Sequence, residues 1–319
     1  MAVGGPAGLI QVGENSALRP VIEAELGDIP LSPGSGHDGQ IYYAIGLDLR
    51  GEFVPDLLDH GGYRYRRILF PLLSSGFGLF DGWPLLIGMM VVTIAAAGVA
   101  VGATATIAAR GGLTELATFA LLANPGFWLS IRLLTADTLA MGLMLGALAL
   151  LTNLRLSAVT FALAVLAKDA YLVTPAGLAF TRDRRRWILV IVPFVSLVGV
   201  MTWITVTMGE GFTGRGNFAL PLMGIIDASS NWSNLGAGDI FFLIFALVSV
   251  FAGLVIGILH KSWLRWPIIS WSVLGLVSSE WVWNFGNNAA RVFAPLAVLI
   301  VLSLARPPQA AVGPAPEAA

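Results

Sequence analysis

Ionisable side chains gather in four short runs of this chain, each at the margin of an apolar stretch, and a fifth set lies nearer the C-terminus. The first run is His37-Asp38-Gly39-Gln40, followed by Ile41-Tyr42-Tyr43. Glycines at 36 and 39 leave the Asp38 carboxylate open to a substrate, although Asp is also a favoured residue at a helix N-cap. The second run, Tyr63-Arg64-Tyr65-Arg66-Arg67, offers three guanidinium groups and two phenols. Such groups grip phosphate through forked hydrogen bonds, and they also serve as interfacial anchors. In the third, Arg132 stands five residues before Asp137 where one apolar run yields to the next. An Asp cap with a neighbouring Arg ion pair explains that spacing as well as a binding role does. The fourth is Lys168-Asp169, a lysine between two apolar halves that must snorkel or hold an anion. Asp169 is its nearest available partner in sequence. Glu280 and Arg291 close the set, on either side of the aromatic and amide-rich turn Trp281–Asn288.

Other chemistries are missing. The chain has no cysteine, which removes disulfides, thiolate catalysis and Cys-ligated metals. It contains no zinc-protease helix motif, no phosphate-binding Walker loop and no Gly-x-Ser-x-Gly elbow. A net charge of −1 argues against nucleic acid as a partner.

The elements that must position these groups are set by composition. Hydrophobic residues make up 56% of the 319 and charged residues 12%, about half the charge that a soluble surface requires. The expected fold is therefore all-α: a polytopic membrane bundle in one helical domain. Apolar runs are read at 68–80, 84–108, 113–131, 134–153, 156–167, 170–181, 187–207, 239–259, 266–283 and 289–305. A straight crossing needs about 20 residues. The run 68–80 is expected to lie in an interface, and 156–167 with 170–181 to be two short crossings or a re-entrant hairpin. About nine spans result, two of them short. Residues 1–66 hold nine of the 19 acidic residues and no span. They are expected to be an external, polar, partly ordered segment with interfacial helices, residues 67–306 the transmembrane domain, and 307–319 a disordered cytoplasmic tail.

Loop charge gives an orientation. If 84–108 runs inward, the loops at Arg110, Arg155, Arg182–Arg186, Lys261/Arg265 and Arg306 share one side and hold nine Lys or Arg. The opposite loops hold four, mixed with acids. Positive loops mark the cytoplasm, so the chemistry-bearing runs and the 208–238 loop are expected outside, on a cell membrane.

The arrangement resembles the GT-C superfamily of integral membrane glycosyltransferases. Asp38-Gly39-Gln40-Ile41-Tyr42-Tyr43 is similar to their acidic first external loop. Tyr65-Arg66-Arg67-Ile68-Leu69-Phe70-Pro71-Leu72 is similar to the interfacial helix that follows. Arg132 with Asp137 resembles their second acidic motif, and Ala167-Lys168-Asp169 their lysine-containing turn. The resemblance covers about residues 36–190, and it implies a transmembrane helix ahead of the first loop, where no apolar run of that length is read, so a truncated start is expected.

By that resemblance the reaction is inverting transfer of a sugar from a polyprenyl-phosphate donor to a glycan, lipid or protein acceptor. Asp38 would be the general base, made more basic by a low-dielectric setting, and Asp137 would orient the acceptor or an arginine. Arg66, Arg67, Arg132, Lys168 and Arg291, with Tyr42 and Tyr43, would hold substrate or lipid phosphate. No cofactor or metal is expected, although a divalent cation would be compatible with Asp137. Two other classes fit the same charges. A transporter or flippase for a lipid-linked or small substrate would need charges near mid-membrane and an internal repeat. A non-catalytic membrane scaffold would need neither.

Overall fold

The computed structural model describes residues 5–114, 116–180, 183–209 and 217–307, so the tail expected after Arg306 lies almost wholly outside the described residues. Sixteen α-helices follow in order. They are α1 Arg19–Leu26, α2 Asp38–Leu47, α3 Gly61–Tyr65, α4 Leu69–Ser74, α5 Gly82–Arg110, α6 Leu116–Leu122, α7 Pro125–Arg132 and α8 Ala136–Ala149. Then come α9 Leu154–Ala167, α10 Val173–Ala179, α11 Ile188–Met208, α12 Met223–Ser229, α13 Ala237–Leu259, α14 Arg265–Val277, α15 Glu280–Trp283 and α16 Gly286–Leu302. Among the described residues β pairing is limited to three isolated bridges. Among the described residues three helices are long and apolar enough to cross a membrane: α5, Arg184–Met208 (α11 with its 3-10 lead-in) and α13. This is the architecture of an all-α membrane protein.

The apolar runs become helices, but two runs that read as single crossings are broken. Residues 113–131 divide into α6 and α7 at Asn124-Pro125. Proline suits a first helical position, and the Asn124 side chain accepts the Phe127 amide at 3.2 Å as its cap. The Asn124 amide donates to the Ala294 carbonyl at 2.8 Å, tying the break to α16. Residues 266–283 divide into α14 and α15 at Ser278-Ser279. The short pair read at 156–167 and 170–181 is α9 and α10, parted by a 3-10 turn at Asp169–Leu172.

Packing runs in a chain of neighbours: α5 on α8, α8 on α9, α9 on α11, then α10 on α14, α14 on α13, α13 on α16 and α16 on α7. One end of the bundle is rich in arginine. There Arg110 donates to the Ala149 carbonyl, Arg265 to Gly257, and Arg184 and Arg185 stand exposed. The other end carries the N-terminal segment, which is more ordered than its polar composition predicts. Ile10, Val12 and Ile22 are fully buried in the same core as the bundle. Asp48 organises the chain behind α2, its carboxylate accepting the amides of Glu52, Phe53 and Val54 at 2.9, 2.8 and 2.8 Å. Tyr65 donates to the Asp48 carbonyl at 2.6 Å and so holds α3 against the same loop. Short-range polar closure of this kind lets a segment poor in apolar residues pack without orphaned backbone groups.

Candidate functional site

Five pieces of chain meet at the end opposite the arginine-rich one: the start of α2, helix α3, the α7–α8 turn, the α9–α10 turn and the start of α16. Asp38 is the first residue of α2, and its carboxylate does not cap the helix. One oxygen accepts Arg64 Nη1 at 3.2 Å and the other accepts Arg291 Nη2 at 2.9 Å. Arg64 is itself gripped by two bonds to Asp59, Nε to Oδ1 at 3.0 Å and Nη2 to Oδ2 at 2.9 Å. A carboxylate–guanidinium chain therefore runs from the surface at Asp59 to Asp38. Arg291 Nη2 also donates to Asn288 one turn earlier, at 3.2 Å.

The close approach of α2 depends on Gly39. A Cβ there would stand 2.6 Å from the Leu133 carbonyl oxygen and 3.0 Å from Ile10 Cα. The facing turn is strained, with Leu134 at φ 45°, a conformation rare for a leucine. Next in the chain, Thr135 and Ala136 lead into Asp137.

Asp137 is buried and pairs with Lys168, also buried. Both sequence expectations for these groups are thereby corrected. Asp137 takes Lys168 in place of Arg132, which is exposed at the end of α7, and Lys168 takes Asp137 in place of the adjacent Asp169. The physical reason is burial: a buried ammonium needs a carboxylate at contact, and the α9–α10 turn aims Lys168 inward while Asp169 stays half-exposed. Tyr171 donates to the Asp137 carbonyl at 3.3 Å.

Arg67, 8% exposed, donates to the hydroxyls of Tyr42, at 3.4 Å, and Tyr63. It also lies over the Tyr63 ring at 4.9 Å, and Arg66 lies over that ring at 5.6 Å. Tyr42 therefore belongs to the site and Tyr43 does not. Successive helical residues face different ways, and Tyr43 donates to the Gly82 carbonyl at 3.0 Å, bracing α2 against α5. Sequence alone assigns Asp59 no role, and it offers Arg64, Tyr63 and Asn288 only as members of their runs. The clustering of arginines and tyrosines at the edge of an apolar stretch was the available signal.

Electrostatics reshape Asp38. Burial pushes its carboxyl upward, and the guanidinium groups of Arg291, Arg64 and Arg67 more than reverse this, holding it well below the usual carboxylate range. The expectation of a carboxylate made more basic by its setting is thus corrected for the unliganded protein. Burial, then the Arg291 charge, lowers the neighbouring His37 below its ordinary value. Burial raises the Tyr42 phenol to about 12, so it stays neutral at pH 7.

The cations are not used up. Arg67 Nε, Arg291 Nε and Arg291 Nη1 are buried nitrogens without a hydrogen-bond partner. The buried cations Arg67, Lys168 and Arg291, set against buried Asp137 and half-buried Asp38, carry one positive charge more than negative, since Arg64 is answered by Asp59. Buried donors left unpaired cost about 1–3 kcal/mol each. Such a site suits an anion of unit charge. Among the described residues no group of three or more His, Asp or Glu comes together that could hold a metal. Comparison with protein-family models, with curated proteins and with solved structures finds no match for this chain.

Proposed function

We propose that this chain transfers a sugar from a polyprenyl-phosphate donor to an acceptor hydroxyl at the extracytoplasmic face of a cell membrane, with inversion. The observation that carries the reading is the buried cationic surplus with three unpaired donors on Arg67 and Arg291, beside a carboxylate. A lipid phosphodiester carries one negative charge and supplies the missing acceptors. In the transfer step the acceptor oxygen bonds to the anomeric carbon, and the bond from that carbon to the phosphate oxygen breaks. Polyprenyl phosphate leaves with the electron pair, and Asp38 receives the acceptor proton. Arg67 and Arg291 stabilise the second negative charge that develops on the leaving phosphate, with Lys168 and Arg66 near them.

Asp38 is a weak base while two arginines hold it. An anion bound to Arg291 draws on the same guanidinium, and weakening that contact returns basicity to the carboxylate. Base strength is then coupled to donor binding, and the unliganded site does not abstract protons. Asp137 pairs with Lys168 and holds it in place, so in this reading it positions a cation and does not touch the acceptor.

A second reading has an observation of its own. Helices α8 and α9 have 14 residues each and rise about 21 Å from their shared turn, against a hydrocarbon thickness of about 30 Å. The Asp137–Lys168 pair then lies below the membrane surface, as a transporter for lipid-linked anions would place it. One experiment separates the two. In proteoliposomes with a polyprenyl-phosphate sugar, Asp38→Asn removes the proton acceptor at nearly constant size. A transferase loses about 10²–10⁴-fold in rate while retaining donor binding. Unchanged transfer by Asp38→Asn removes the base assignment, and donor flux without transfer by the parent favours the transporter.

A further inference from the structure

Residues 217–229 do not run as a loop over the bundle. Asn217–Leu222 lies antiparallel to the end of α14: Ala219 donates to the Val277 carbonyl at 2.8 Å, Leu222 to Leu276 at 2.7 Å, and Ser279 to Asn217 at 3.0 Å. The chain turns back at Leu222, held at φ 70°, and α12 returns alongside. The return leg is pressed close, since a Cβ on Gly224 would meet the Ser278 carbonyl oxygen at 2.0 Å. It is tied at its far end by Trp232, whose indole donates to the Trp283 carbonyl at 3.2 Å. The last carbonyls of a helix have no partner within it, and here the descending strand satisfies two of them.

The depth of this feature follows from α14. That helix starts among Trp263, Arg265 and Trp266, residues of an interfacial type, and has 13 residues. It rises at most about 20 Å, and tilt only shortens the climb. Val277 therefore stops about 10 Å short of the far boundary of a hydrocarbon layer about 30 Å thick. Irregular backbone at that depth is stable only when its polar groups are paired, as the Asn217 carbonyl and the Ala219 and Leu222 amides are. The side chains turned away from α14 are apolar: Phe218 is 69% exposed, Leu220 75% and Ile226 56%. They are of the same lipid-facing type as the exposed side chains of α13, Phe241, Ile244 and Val248. Polar side chains stand at the two ends of the segment, Asn217 where it begins and Asp227, Ser229 and Ser230 toward the end of the return leg, where it climbs back to the surface.

We propose that residues 217–229 form a re-entrant hook immersed in the leaflet at the site end of the bundle, with its apolar side against lipid chains. The hook lies beside α15, the helix just ahead of the start of α16 that carries Arg291, and it stands independently of the transfer reading. Because the chain has no cysteine, single nitroxide labels at Leu222→Cys, Ile226→Cys and Ser230→Cys can be compared in lipid nanodiscs. At positions 222 and 226 collisions with oxygen should exceed those with a water-soluble nickel chelate, and at 230 the order should reverse. Nickel access at 222 equal to that at 230 would place the hook in water and overturn the proposal. Low access to both reagents at 222 and 226 would overturn it too, by showing protein, such as a second copy of this chain, over the surface.

Discussion

At one end of the bundle Arg67, Lys168 and Arg291 are buried among Asp38, Asp137 and two phenols. At the other, Arg184 and Arg185 are exposed, and the nearby Asp183 carboxylate is engaged by the Arg185 amide at 3.0 Å. Both ends are cationic, but the physics differs. An exposed arginine keeps its hydration, so it costs little and does little beyond biasing which way loops face. A buried one loses several kcal/mol of hydration and persists only where carboxylates, hydroxyls or a ligand replace the lost water. The comparison teaches that position in the fold, and not residue type, separates a candidate site from an orientation signal.

That contrast can be broken by substitution. Lys168→Met should destabilise the protein by about 3–5 kcal/mol, because it strands the buried Asp137 charge. The double variant Asp137→Leu/Lys168→Met should recover much of that loss. Chemical denaturation in detergent, scored as a double-mutant cycle with Asp137→Leu, checks both, and a double-variant loss equal to the sum of the two single losses would show that the pair is not coupled. Next in size is Gly39→Ala, whose new methyl must push aside the Leu133 carbonyl. Overpacking of this kind costs about 1–3 kcal/mol, and it should also loosen the Arg291–Asp38 contact, lowering donor binding.

Acid sharpens the same comparison. A carboxyl whose pKa is lower in the folded state than in the unfolded one stabilises the fold above its unfolded value. That contribution is lost as pH falls through the folded one. Asp38 is such a group. The melting temperature of the parent should exceed that of Asp38→Asn by a constant margin from pH 7 to about 5, and the margin should shrink below about pH 4, the ordinary Asp value. A margin that grows on acidification would contradict the pairing. The smallest effect belongs to the arginine-rich end, where Arg184→Ala should change stability by no more than about 0.5 kcal/mol.

Much of the helical layout was legible, because span length and continuous apolarity are local properties. The ends of α5, α11 and α13 fall close to the runs 84–108, 187–207 and 239–259. The breaks at Asn124-Pro125 and Ser278-Ser279 were less legible. Asn124 was readable as a cap in principle, but its side chain is committed by Ala294, 170 residues away. The bend at Ser278-Ser279 depends on the hook that pairs with it, and nothing in 266–283 alone announces that strand. Among the site residues, Asp38, Arg67, Asp137, Lys168 and Arg291 could be picked out as charges that an apolar chain does not carry idly. Their pairing could not be read. Asp169 and Arg132 were the partners suggested by nearness in sequence, and neither is the partner in space.

The sequence by itself determined the solvent, the helical class and the segregation of charge to the two ends, since each follows from local composition and from the cost of charge in hydrocarbon. Only the tertiary structure decided that Asp38 is held between Arg64 and Arg291, that Tyr42 faces the site while Tyr43 braces α2, and that an acidic N-terminal segment folds against the bundle. Those outcomes depend on contacts between elements up to 253 residues apart. In a buried, low-dielectric site the partner at contact sets both the charge state and the orientation of each group, and that partner is chosen by packing.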